Sequence, residues 1–431
     1  MPQRFGIGRF GIGSVVAVLC AALVVTVGVV LGMGVPDHPD DRFTFGTLRA
    51  YPDRPATAWS VSSLDLPDYS SNAPIEVAGT QGPDWLLSYP SGLGRAYLLV
   101  RRTDGHRRWT RPLRAGLGGC ALTDAGTVGC AIVAGDRPDG FYLLDATGTP
   151  GTAQPLDDTA SVLGVGENFL RLNRSGYRAT LRTPTGDTVW ERRFDATATP
   201  HLTSTGLLNV STNDAGEYLL DPASGADRAH CSRCTITEYP TGIAVTHHDP
   251  DRAGVDTFAL DGGLPTAHPT ATSAGLQVIA GPSQLAVLTA TGDAQLAEPQ
   301  GTYEIRDPAQ RQALWQITDP ELSKANTRPC GRFVVFALKD RSRTVYDLAT
   351  GAHVGALPVP DATDPDTNID YLRCVGSTGP LVVFTDEHRL SAFDPTRATL
   401  AWTLPVGGEV SVVDGYLVVR QGTELSVLRP T

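Results

Sequence analysis

A phrase of about a dozen residues recurs along this chain at a nearly fixed interval, and that periodicity constrains the fold more than any other feature. A short β-prone run reaches an aspartate or proline turn, then in most copies a glycine, and four residues later often a tryptophan. Fuller copies are 98–109 (LLVRRTDGHRRW), 179–190 (ATLRTPTGDTVW), 303–315 (YEIRDPAQRQALW) and 390–402 (LSAFDPTRATLAW). Weaker ones are 142–148 (YLLDATG), 218–225 (YLLDPASG), 258–263 (FALDGG) and 346–351 (YDLATG). Aligned on the tryptophan, the copies stand at Trp109, Thr152, Trp190, Ala229, Ala267, Trp315, Gly355 and Trp402, at intervals averaging about 42 residues. That spacing falls within the ~40–50 residues of a propeller blade.

Each unit reads as four strands. In 157–194, SVLGVG, NFLRLNRSG, YRATLRTPTG and DTVWERRF are β-prone runs separated by Asn, Gly, Pro and Ser. The 46 glycines and 32 prolines make up about 18% of the chain, against an ordinary ~12%, so turns are frequent and long helices are disfavoured in the repeats. In the recurring phrase, the aspartate is suited to bond turn amides and the glycine to take a positive φ. The tryptophan offers a large apolar face for packing one blade on the next.

The phrase resembles the quinoprotein-like propeller repeat, hydrophobic-Tyr-x-Leu-Asp-x-x-Thr-Gly-x-x-x-Trp, over roughly residues 42–431. Relatives of that family include pyrroloquinoline-quinone dehydrogenases and the scaffold lipoprotein of the outer-membrane barrel-assembly machinery. The resemblance implies an all-β propeller of four-stranded blades and does not by itself imply an activity. The last copy, 425–431 (LSVLRPT), matches 390–396 (LSAFDPT), and its tryptophan position would fall past the last residue. Trp59, in ATAWSV, is therefore expected to supply the missing outer strand and latch the ring. Nine units can be counted; eight blades are preferred, with one weak unit or the latch taken as irregular, and seven or nine are the alternatives.

Before the repeats, 10–36 contains no charged residue, and its Val/Leu/Ala/Gly-rich core is long enough to cross a ~30 Å hydrocarbon layer as one helix. Arg4 and Arg9 precede this run and Asp37, Asp40 and Asp41 follow it, which orients it as a signal anchor with 1–9 cytoplasmic. A cleaved signal peptide is the alternative. Residues 37–41 read as a linker and 42–431 as an extracytoplasmic propeller. The chain carries a formal charge of −11, and without the two arginines of the anchor −13. That balance argues against a nucleic-acid partner. Only Lys324 and Lys339 are lysines, an arginine bias resembling high-GC, actinobacterial composition.

Cys20 lies inside the apolar run, with Leu19 where a lipobox requires a small residue, so it is expected to stay free. The other six cysteines are an even number, as an oxidising compartment favours. Cys120 and Cys130 flank a hairpin centred on Ala125 and fall opposite each other. Cys330 and Cys374 sit on the expected first strands of consecutive blades, an inter-blade staple. Cys231 and Cys234 form C-x-x-C, read as a loop disulfide because no second C-x-x-C and no βαβ context completes a metal or redox site. His247, His248 and Asp249, with His230, suggest a metal set. Neighbours on a strand face opposite ways, so a solvated loop is the preferred reading. Asn173-Arg-Ser175 and Asn209-Val-Ser211 are glycosylation sequons that a bacterial composition makes irrelevant.

No catalytic, metal or cofactor constellation emerges. The expected function is an interaction scaffold for an envelope protein or cell-surface polymer. The alternatives are a quinone-dependent dehydrogenase, which the absence of a Cys-Cys dipeptide opposes, and a propeller hydrolase or lyase with carboxylates at its mouth.

Overall fold

The computed structural model describes residues 43–70, 73–291, 301–338, 340–359, 373–386 and 388–431. The apolar run 10–36, Cys20 and the linker 37–41 lie outside them. No helix among the described residues is long and apolar enough to cross a membrane.

The described strands form nine antiparallel sheets, each built from consecutive strands but for one exchange. Numbered along the chain, blades 1 to 8 occupy 76–116, 120–144, 159–193, 198–232, 234–274, 276–318, 326–356 and 373–405. Blade 9 combines 409–428 with Thr57–Ser62, which pairs antiparallel with Glu424–Leu428 as the outermost strand. Trp59 is thus on the latch, opposite Val427. The unit 157–194 resolves into Thr159–Val165, Asn168–Asn173, Arg178–Arg182 and Thr188–Arg193, the four strands expected of it.

Buried apolar residues collect between neighbouring sheets, because each sheet has two apolar faces to cover. One large cluster joins Trp59 and Val418 of blade 9 through Trp85 and Leu98 of blade 1 to Leu122 and Cys130 of blade 2. Seven others fill the joints from blades 2 and 3 round to blades 8 and 9. The joints therefore close a ring.

Nine blades correct the preferred count of eight. Neither irregular unit drops out of the ring. The latch completes a full blade, and blade 2, three-stranded, keeps its wedge, its fourth strand reduced to isolated bridges at Phe141–Gln154 and Leu144–Pro150. Two residues past the tryptophan position at Thr152, Gln154 Nε2 instead donates to Pro184 O of blade 3 (2.6 Å). Gln154 Oε1 accepts from Arg171 (2.9 Å), whose guanidinium lies 3.5 Å over Phe141.

The three expected disulfides are formed. Cys120 and Cys130 are directly paired in the blade 2 hairpin. Cys330–Cys374 ties the innermost strands of blades 7 and 8. Cys231–Cys234 spans the link from the outer strand of blade 4 to the inner strand of blade 5.

Candidate functional site

The recurring residues are the first candidates, and the fold employs them in its joints. Trp59, Trp190 and Trp315 each lie against the glycine of the next blade's turn, Gly105, Gly225 and Gly351, where a Cβ would come within 3.0 Å of the indole. Each indole donates to a backbone carbonyl three residues before that glycine: Arg102 O (2.7 Å), Pro222 O (2.9 Å) and Leu348 O (2.7 Å). The turn aspartates are equally occupied. Asp347 Oδ1 accepts from the amides of Ala349 (3.1 Å) and Thr350 (3.0 Å), and its Oδ2 from Arg332 (2.6 Å). Burial pushes its carboxyl up, but Arg332 and Thr350 outweigh this and hold it below the usual carboxylate range.

The histidines do not assemble as a set. His230 stacks on Tyr218 (4.1 Å between ring centres), His248 Nε2 lies 2.8 Å from Thr235 Oγ1, and Asp249 caps the short helix Pro250–Arg252. No group of three metal-ligating side chains occurs among the described residues.

His247 departs from the solvated-loop expectation. It ends the strand Gly242–His247, opposite Cys234 and Gly254, and its side chain is only 10% exposed. Its Nε2 lies 2.9 Å from Asp256 Oδ2, which also takes Arg252 (3.2 Å), while Thr272 donates to Asp256 Oδ1 (2.6 Å). Burial raises the Asp256 carboxyl, yet bonds from Thr272 and His247, with the charges of His247 and Arg252, hold it below the usual range. These groups line a cavity of about 360 Å³ together with Asp251 and Pro269. An imidazole oriented by a buried carboxylate through one nitrogen is an arrangement able to move a proton at the other. Sequence reasoning singled out His247 but missed Asp256 and Thr272. They arrive from two further strands, so no local motif joins them.

The innermost strands present polar positions, among them Thr199, His201, Thr235, Gln277, Asn326, Arg373 and Glu409, all exposed. They come from six blades and form no paired constellation.

No family model matches the chain, and no curated protein matches it. Similar solved structures include BamB from Moraxella catarrhalis, at 12% identity over 88% of this chain and 98% of that one, with a TM-score of 0.40. The computationally designed Ika8 protein is also similar, at 12% identity over 84% of this chain and 97% of that one, with a TM-score of 0.42. The Dos1 propeller shares 11% identity over 72% of this chain and 90% of its own, with a TM-score of 0.35.

Proposed function

We propose that the chain is a membrane-tethered, extracytoplasmic interaction scaffold that binds an envelope protein or a cell-surface polymer without a redox cofactor. One observation carries this reading: the residues that recur from blade to blade are occupied in blade-to-blade joints, which leaves recognition to the variable loops on a rigid ring. The charge-free run with arginines before it and aspartates after it supports the tether. Three disulfides support an oxidising compartment. The acidic balance favours basic or cationic partners.

The test has two arms. Cross-linking in membranes is expected to capture a reproducible partner, while titration with pyrroloquinoline quinone and calcium is expected to give neither stoichiometric binding nor dye reduction with alcohols or sugars. Quinone-dependent turnover would replace the scaffold by a dehydrogenase. Protease added to intact cells lacking an outer barrier is expected to remove the ring; protection until lysis refutes the topology. A second reading, a hydrolase or lyase, draws on the His247–Asp256 pair beside its cavity. Turnover of ester, peptide or glycoside substrates that is lost in His247→Ala would place it first.

A further inference from the structure

Positive charge collects on the face of blade 3 that meets blade 2, the face on which Arg171 lies over Phe141. The register sets Arg171 beside Thr180 and Asn173 beside Thr159. Alternation along Arg178–Arg182 puts Arg178 and Arg182 on the same face as Thr180. These side chains and Asp157, from the link before the blade, line a cavity of about 10 Å³, room for one water-sized atom. Three guanidiniums and one carboxylate leave a net charge of +2 in a chain whose formal charge is −11.

That charge is not neutralised within the fold. Asp157 Oδ2 is taken by Arg182 (2.7 Å), and neither Arg171 nor Arg178 has a carboxylate partner among the described residues. Arg171, 3% exposed, reaches only Gln154 Oε1 (2.9 Å) and Pro155 O (3.2 Å). Burial and the like charge of Arg182 push its pKa down to about 10. A buried cation beside a second one is destabilising until negative charge arrives. The half-buried Arg178 spends one of its five N–H donors, on Asp157 O (3.0 Å).

Thr180 marks where the negative charge would sit. It lines the cavity and is 7% exposed, and its hydroxyl has no hydrogen-bond partner yet is not sealed from solvent, as Arg171 Nε and Arg182 Nε are. Asn173 and Thr159 are occupied by Arg178 N and Leu156 O. The charge repels cations, the volume admits a single atom at the deep end, and guanidinium forks match the oxygens of an oxyanion.

We propose that this cavity binds a phosphate group, one oxygen accepting from Thr180 Oγ1 and the others facing Arg178 and Arg182, with Arg171 supplying charge from the buried end. The site goes beyond the scaffold reading and does not depend on it.

The probe is inorganic phosphate, titrated calorimetrically into the full-length chain near neutral pH at constant ionic strength. Phosphate is expected to bind in the millimolar range or tighter, and about tenfold or more tightly than chloride. Arg178→Gln is expected to weaken phosphate about tenfold or more. Thr180→Val, an isostere, is expected to fold and to weaken it about fivefold. Failure of phosphate to bind in the millimolar range, chloride binding as tightly, or unchanged phosphate affinity in a folded Arg178→Gln each overturns the proposal. If Arg178→Gln does not fold, Thr180→Val decides: weakened affinity supports the site and unchanged affinity overturns it. Glycerol 1-phosphate separates the two sources of the group. Both of its results support the site: binding assigns it to a phosphate carried on a larger molecule, and exclusion assigns it to the free ion.

Discussion

Trp109 and Trp190 hold the same place in the repeat and both pack on a turn glycine, but their indoles fare differently. The turn facing Trp190 closes with Gly225 N bonded to Asp221 O, four residues back, which leaves Pro222 O to accept the indole. The turn facing Trp109 is one residue tighter, with Gly148 N bonded to Asp145 O, and the buried Trp109 Nε1 has no partner. Trp190→Phe is therefore expected to lose about 1 kcal/mol more than Trp109→Phe in denaturant unfolding. The turn carboxylates make a second residue-scale prediction. Asp347 has a folded pKa below its unfolded value of 3.8, so its contribution is present above that value and disappears as pH falls through the folded pKa. Asp347→Asn is expected to cost about 1–2 kcal/mol at pH 7, where the charged bond to Arg332 is lost. The gap to the parent should narrow below pH ~4 and vanish at lower pH. A gap independent of pH would show that the charge does not contribute.

At the scale of elements, the least repeat-like copies carry the clearest lesson. Gly355 stands where the repeat places a tryptophan, and its strand uses backbone instead of side chain. The amide of Ala356 donates to Pro395 O (3.0 Å), the carbonyl just after the turn aspartate Asp394, in the position that Leu348 O and Pro222 O take elsewhere. A Cβ on Gly355 would come 2.2 Å from that oxygen, and φ is +151°. Gly355→Ala is therefore expected to destabilise by about 1–3 kcal/mol. Restoring the repeat with Gly355→Trp should do worse, and a stable Gly355→Trp protein would refute this account. Blade 2 solves the same problem with the Gln154 amide, which explains how a unit without the repeat tryptophan still joins its neighbour.

For the whole molecule, closure is the decisive event. The turn that would face Trp402 is interrupted by the chain ends, and Tyr51 O takes the indole there (3.0 Å). Tyr51 also bonds through its hydroxyl to Leu428 O and Leu417 N, and Thr431 N reaches Ala50 O (3.0 Å), which fastens both ends into one joint. Removing residues up to 62 uncovers the edge of Glu424–Leu428. Exposed edges pair with other chains, so concentration-dependent association on size exclusion is the expected result, and a monomer at all concentrations refutes it. The Cys330–Cys374 bridge acts far along the chain from that closure. Replacing both cysteines by alanine is expected to lower stability by about 4 kcal/mol, the loop-closure value for a separation of 44 residues.

The repeat period, the four-strand content of most units, the latch at Trp59 and the three cysteine pairings were legible in the sequence. Each follows from local turn chemistry or from spacing counted along one chain. The number of blades was not, because a degenerate unit looks dispensable until its neighbours show that it still fills a wedge. Nor were the partners of Gly355, Gln154 and Trp402, which are carbonyls of the next blade or of the opposite chain end. The His247–Asp256–Thr272 cluster and the cavity at Arg171, Arg178 and Arg182 were equally invisible. Their members come from separate strands, and only the pairing of strand with strand in the folded blade brings them within reach of one another.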